Sequence, residues 1–215
     1  MGRGALHMPL EEGTRRDVAA VRAVRAAIGS DARLMIDANN GYNFNLACRV
    51  LQETRDCNVW WIEEAFHEDP VLYAHLHAWL KAEGMSTLIA DGEGVASPLL
   101  LQWALEGAID CVQFSAREKG FTEWLRLARL LRAAGRFPAP HNFGSHWTCF
   151  AAGHLAAVID CPVEWDAAER CPALDTSAFS PIRNGRITLP LNLPGFGIGL
   201  RDEVFVASPE YWREE

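Results

Sequence analysis

Long hydrophobic runs are missing from this 215-residue chain. No apolar stretch approaches the ~20 residues that a bilayer-spanning helix needs, so no transmembrane segment is predicted. The opening Met1-Gly2-Arg3-Gly4 leads into no apolar h-region, and no signal peptide is expected. Positive charge is in the minority: 20 basic against 28 acidic residues give a formal charge of −8, which argues against a nucleic-acid-binding surface. Lysine is rarer still, with only Lys81 and Lys119. There is no C-x-x-C pair among Cys48, Cys57, Cys111, Cys149, Cys161 and Cys171, whose spacings are irregular. Neither a zinc site nor a disulfide framework fits, and the reduced thiols of a cytoplasmic protein are expected. Apolar residues, by contrast, make up 49% of the chain, enough for a sizeable core and too many for disorder.

Short apolar runs alternate with longer amphipathic stretches. Thr14 reads as an N-cap, with Val18, Val21, Val24 and Ile28 following at helical spacing and Gly29 as the stop. Leu34-Met35-Ile36 reads as a strand, a helix is predicted over about 45–54, and Val59-Trp60-Trp61-Ile62 reads as the next strand. Asp69-Pro70 opens a helix that carries Leu72, Leu76 and Leu80 on one face and stops at Gly84. The alternation continues with a strand at 87–90, a short helix from Ser97 to Gly107, and a strand at 111–114. A helix at 124–134, the run to His141, a helix at 148–159 and a strand at 163–165 complete it. Beyond Asp166 the pattern turns irregular and rich in proline and glycine, with strand-like runs only near 187–189 and 204–206. The expected organisation is a barrel domain over 1–166 and an irregular segment over 167–215 packing on it.

Strands alternating with helices imply right-handed βαβ units and a parallel sheet. Residues at the strand ends recur about every 25 positions, and eight such units would make a (β/α)8 domain of about 200 residues. A doubly wound open sheet would show a Gly-rich phosphate loop after its first strand, and none is present.

The strand ends carry Asp37, Glu63, Glu93, Ser115, His141 and Glu164. Carboxylates ending three consecutive strands of a barrel would repel one another unless a divalent cation sits among them. An all-oxygen donor set favours Mg²⁺ or Mn²⁺ over zinc. A lone Asp or Glu at a strand end is more often a helix cap or a solvated loop residue; the succession of three is what turns the reading.

Met35-Ile36-Asp37-Ala38-Asn39-Asn40-Gly41-Tyr42, Trp61-Ile62-Glu63-Glu64 and Ala90-Asp91-Gly92-Glu93 resemble the three metal-ligand motifs of the enolase superfamily, in its mandelate racemase-like (mandelate racemase/muconate lactonizing enzyme) branch. Pro140-His141, Val163-Glu164-Trp165 and Pro194-Gly195-Phe196-Gly197 resemble later motifs of the same branch, in the same order. The resemblance implies Asp37, Glu63 and Glu93 as Mg²⁺ ligands (Mn²⁺ as the alternative) and Asn39 and Glu64 as groups behind them. It implies His141 as the acid–base residue and Glu164 as a protonated donor to a substrate carboxylate. The implied activity is α-proton abstraction from a hydroxy-carboxylate through a metal-stabilised enediolate. An acid-sugar dehydratase-like lyase is the first reading, a 2-hydroxy-acid racemase or epimerase (an isomerase) the second, and a catalytically incomplete fragment or pseudoenzyme the third. A small acid-sugar or hydroxy-acid partner, no nucleic acid, no membrane, and a homo-oligomer for the full-length family go with it.

Two departures qualify the pattern. Ser115 stands where this branch ordinarily places an aspartate beside the histidine, so a His–Asp dyad is not available in its usual form; Asp91 is the substitute considered. No lysine precedes Lys81, and only 36 residues precede Asp37. The expected fold is therefore an α/β partial TIM-type (β/α)7β barrel lacking its first two strands, the lysine motif and the N-terminal capping domain.

Overall fold

The computed structural model describes residues 10–144, 146–165, 173–178 and 182–201. They gather into two units, one within Met1–Phe114 and Arg129–Pro138, the other within Ser115–Ala128 and Ala139–Glu215.

The first unit is built on a parallel sheet of β1 (Leu34–Asp37), β2 (Val59–Glu63), β3 (Leu88–Asp91), β4 (Cys111–Val112) and β5 (Phe137–Pro138), in the spatial order β1-β2-β3-β4-β5. Strand order following chain order is what successive βα units of a barrel produce; a doubly wound sheet reverses at a switch point. Asp37 lies opposite Glu63, Glu63 opposite Ala90 and Asp91 opposite Val112, so the acidic residues share one end of the sheet. Central β2 is buried along most of its length, as a strand covered on both faces must be, whereas outer β1 alternates buried and exposed.

Helices α1 (Leu10–Ile28), α2 (Phe44–Glu53), α3 (Pro70–Ala82) and α4 (Leu100–Glu106) connect or flank these strands. The Asn43 side chain caps α2 by accepting the Leu46 N–H (2.9 Å). Asp69 caps α3 with Pro70 at its first position, as expected. Thr14 is a correction: α1 starts at Leu10, and Thr14 is buried inside it with its hydroxyl bonded back to the Leu10 carbonyl (2.8 Å). On α3 the buried face is Tyr73, Leu76 and Leu80, with Leu72 only half-buried. The core of this unit gathers Ile62, Tyr73, Leu76, Ile89, Leu100, Ile109 and Leu131.

At the opposite end of the sheet, Asp110 accepts the Ile89 N–H (3.0 Å), pairs with Arg136 (2.8 Å) and lies 3.3 Å from His77 Nε2. This cluster ties α3 to the starts of β3, β4 and β5.

Helix α5 (Ala116–Ala133) begins earlier than its apolar pattern suggests, because Gly120 (φ 66°, ψ 178°) breaks two helical pieces that run on end to end. In the second unit, Trp124 and Leu127 are buried, as are Phe150, Leu155 and Ile159 of α6 (His146–Ile159). Strand pairing at 111–114 stops at Val112, and Ser115 and His141 meet as a single parallel bridge. Residues 163–165 form no strand. Ile187–Leu189 is not a strand either: the C-terminal pairing is antiparallel β6 (Leu174–Asp175) with β7 (Gly199–Leu200), plus a bridge between Arg183 and Arg186. The expected run at 204–206 and the boundary at 166/167 lie outside the described residues. Cys48, Cys57, Cys111, Cys149 and Cys161 lie outside any disulfide, and no helix among the described residues is long and apolar enough to cross a membrane.

Candidate active site

Each acidic strand end is set by main-chain register before any side chain acts. Ala38 N–H donates to the Glu63 carbonyl (3.0 Å), Asn40 N–H to the Glu64 carbonyl (2.7 Å) and Glu64 N–H to the Ala90 carbonyl (3.1 Å), so the three strand exits are stitched in series. The geometry requires unusual backbone: Asn39, Asn40 and Glu64 all have positive φ (45°, 59° and 41°). Asparagine adopts this region readily and glutamate does not, so the turn at Glu64 is a local cost tolerated at the site. Gly92 has φ 124°, and a Cβ there would come within 3.1 Å of the Gln113 amide nitrogen, so only glycine lets this loop run against β4.

Asp37 is exposed, with one carboxylate oxygen accepting the Asn39 N–H (2.8 Å). Glu63 is 8% exposed and accepts the Trp61 indole N–H (3.1 Å). Asp91 is buried, accepting the Tyr73 hydroxyl and the Gly92 N–H. Glu93 follows in the loop, half-buried. These groups act on one another. Burial, followed by the charges of Glu93, Asp91 and Asp37, pushes Glu64 up to about 7. Burial is also the largest influence on Asp91, which rises to about 6 against the opposing bond from Tyr73. Asp91 drives the Tyr73 phenol upward in return, after burial itself.

Whether these residues suit a divalent cation can be judged from their donor chemistry. Asp37, Glu63 and Glu93 supply only hard carboxylate oxygens, and the charges of Asp37 and Glu93 meet at Glu64, the neighbour of Glu63; that is the environment Mg²⁺ favours. Among the described residues no three His, Cys, Asp or Glu side chains stand in a metal-holding arrangement. Strand order thus brings the trio to one end of the sheet against the mutual repulsion of like charges, without a formed ligand cage.

His141 belongs to the second unit. Its Nδ1 lies 3.0 Å from Glu164 Oε2, and its ring stacks with Phe143 at 6.5 Å between centroids and 14° between planes. Glu164 Oε2 also accepts the Asn142 N–H (2.7 Å). Ser115 is brought beside His141 by the backbone bridge, and the Ala116 N–H donates to the His141 carbonyl (2.8 Å). Its hydroxyl oxygen, however, accepts the Glu118 N–H at the start of α5 (3.3 Å). His154 contacts the Phe196 carbonyl (3.1 Å). Two residues escaped the sequence reading. Tyr73 was signalled by its spacing with Leu76 and Leu80, and Asn142 only by its adjacency to His141.

Consecutive parallel βα units paired in chain order are the arrangement of a (β/α)-barrel scaffold. A family model described as enolase C-terminal domain-like matches residues 2–204, and the chain belongs to that family, the C-terminal part of the enolase superfamily. Its α/β fold, with five consecutive parallel strands, fits a partial TIM-type barrel. A galacturonate dehydratase from Geobacillus sp., solved with D-galacturonate and 5-keto-4-deoxy-D-galacturonate, is 46% identical with a TM-score of 0.87, covering 95% of this chain and 55% of that one. A mandelate racemase/muconate lactonizing protein from Geobacillus sp., solved with magnesium and tartrate, is likewise 46% identical with a TM-score of 0.87, covering 95% and 53%. The D-galactarolactone cycloisomerase of Agrobacterium fabrum is 31% identical over 201 residues, 86% of this chain and 51% of the relative. The chain spans about half the length of the curated relatives it matches.

Proposed function

We propose that this chain carries the acid–base and metal-binding half of an acid-sugar dehydratase, a hydro-lyase acting on a hydroxy-carboxylate. The observation that carries the reading is the succession of acidic strand ends whose charges meet at Glu64; the likeness to a galacturonate dehydratase supports it. Asp37, Glu63 and Glu93 would hold Mg²⁺ (Mn²⁺ being the alternative), with Asn39, Glu64 and Asp91 behind them. When bound, the ion supplies Lewis-acid stabilisation of the charge that develops on the substrate carboxylate.

His141 moves the protons. Its imidazole takes the proton on the carbon next to the carboxylate, the electron pair forms the carbon–carbon double bond, and the hydroxyl on the next carbon leaves as water with the proton that the imidazolium returns; the resulting enol ketonises to the keto-deoxy acid. A histidine suits both transfers because its affinity for a proton lies near neutrality. A single base suffices for elimination, whereas racemisation needs one on each face. A cytoplasmic location, and a homo-oligomer for the whole enzyme, belong to the same reading.

Incubation with a panel of acid sugars in ²H₂O, with Mg²⁺ or with EDTA, tests it. The expected result is Mg²⁺-dependent formation of keto-deoxy acids. Deuterium exchange without water loss would favour the racemase reading, and neither exchange nor elimination would overturn the proposal for this chain.

A further inference from the structure

Ser115 leaves open what holds the His141 ring in place, since a hydroxyl carries no charge to set against an imidazolium. The oxygens of Ser115 serve helix α5: its carbonyl accepts the Lys119 N–H (3.1 Å) and the Trp124 indole N–H (3.4 Å), and its hydroxyl oxygen the Glu118 N–H. A different carboxylate is at hand. Glu164 Oε2 is 3.0 Å from Nδ1, and that oxygen is itself fixed by the Asn142 main chain. Asn142 is 4% exposed and grips the same residue a second time, its side-chain amide donating to the Glu164 carbonyl (3.3 Å) while also reaching Cys149 Sγ (3.3 Å). The residue following the histidine thus holds both the main chain and the side chain of the glutamate.

We infer that Glu164, clamped by Asn142, is the positioning carboxylate of His141, in place of an aspartate at position 115 and instead of the protonated substrate donor that the family resemblance implies. The inference rests on the reading of His141 as the proton-moving group. A carboxylate 3.0 Å from Nδ1 favours the charged form of the ring. When Nε2 gains a proton, the imidazolium lies against an anion that is already oriented. Asn142, Phe143 and Ser115, which also flank the ring, are uncharged, and Glu164 brings a charge to it. It acts through the histidine and is a positioning residue in that sense.

The test is an NMR titration of the His141 ring in the full chain, with the resonance assigned through His141→Asn. Glu164→Gln keeps the shape and removes the charge, and should lower the ring's midpoint by about one pH unit, a tenfold loss of proton affinity. Glu164→Asp should recover part of that shift, Asn142→Ala should lower the midpoint by less than Glu164→Gln, and Ser115→Ala should leave it in place. Circular dichroism verifies that each variant folds, and Asn142→Ala carries the test should Glu164→Gln fail to. An unmoved midpoint in Glu164→Gln, or an equal drop in Ser115→Ala, overturns the inference. A shifted midpoint in a chain that dehydrates no acid sugar would leave the pairing standing and sink the dehydratase reading instead. An active chain whose midpoint and pH–rate profile ignore Glu164→Gln would do the reverse.

Discussion

The two ends of the five-stranded sheet treat acidic residues in opposite ways. At the end where β3, β4 and β5 begin, Asp110 is matched to an arginine, a histidine and a main-chain N–H. At the end where the strands stop, Asp37, Glu63, Glu64, Asp91 and Glu93 crowd one another, and Glu64 and Asp91 are pushed up to about 7 and about 6. Groups that neutralise each other hold a fold together. Groups that strain each other's ionisation mark a place built for something else, which in the function proposed above is a cation and a carboxylate substrate. The contrast lies within a single unit and a single sheet, and at the second end burial comes first and like charge next in setting it.

Experiments can widen that contrast or erase it. The largest expected effect is on chemistry: His141→Asn should cut turnover by about 10²–10⁴-fold with the fold intact, measured as kcat on whichever acid sugar proves active. Next comes Asp110→Ala, which strands the Arg136 guanidinium and the Ile89 N–H. Allowing for partial exposure, it should cost about 2–3 kcal/mol in urea unfolding. A loss below about 0.5 kcal/mol would mean the paired end is no clamp.

The crowded end should show itself in pH dependence. Carboxyls with a raised proton affinity in the folded state hold protons there that the unfolded chain has released. Stability contributed by Glu64 and Asp91 is therefore greatest below the ordinary carboxylate range and falls as pH rises through about 6 and about 7. Thermal melts between pH 5 and 7.5 should drop in Tm with rising pH, and saturating Mg²⁺ should flatten the slope by favouring the ionised forms. A slope of opposite sign would contradict the crowding.

Glu64→Gln should stabilise the protein by about 0.5–1 kcal/mol at pH 8, because a charge there is a burden to the fold; destabilisation would place Glu64 among the structural residues. The smallest effect is expected at the exposed Glu12–Arg16 pair, where Glu12→Gln should move Tm by no more than about 1 °C.

Legibility in the sequence tracks how local the cause is. β1, β2 and β3 were readable because each is an apolar run ending in an acidic residue, and helix α3 because Asp69 and Pro70 announce it. Thr14 misled because threonine bonds as readily to a carbonyl one turn back as to an N–H ahead. β4 and β5 are two-residue strands whose limits depend on pairing with each other, which no single run displays. The acidic strand ends could be named from order alone, whereas their mutual influence on Glu64 needed coordinates. The partner of His141 was hidden for a similar reason: Asn142 and Glu164 are 22 positions apart, and only the fold brings them together.

The turn that carries the first acidic strand end also bears on how the protein ages. Asn40-Gly41 is the dipeptide most prone to deamidate in a free chain, because glycine leaves its amide nitrogen open to attack the asparagine side chain. In the fold that nitrogen donates to the Ala38 carbonyl at 2.8 Å. The residue cannot be exchanged for a safer one, since a Cβ at position 41 would lie 2.8 Å from the same oxygen. The Asn40 side chain, moreover, favours the ionised form of Glu64. Conversion of Asn40 to aspartate would set a new negative charge where the strand ends are already crowded. The folded turn shelters a chemical weak point that it cannot do without, so prolonged unfolding would damage this corner irreversibly before it harmed the rest of the sheet.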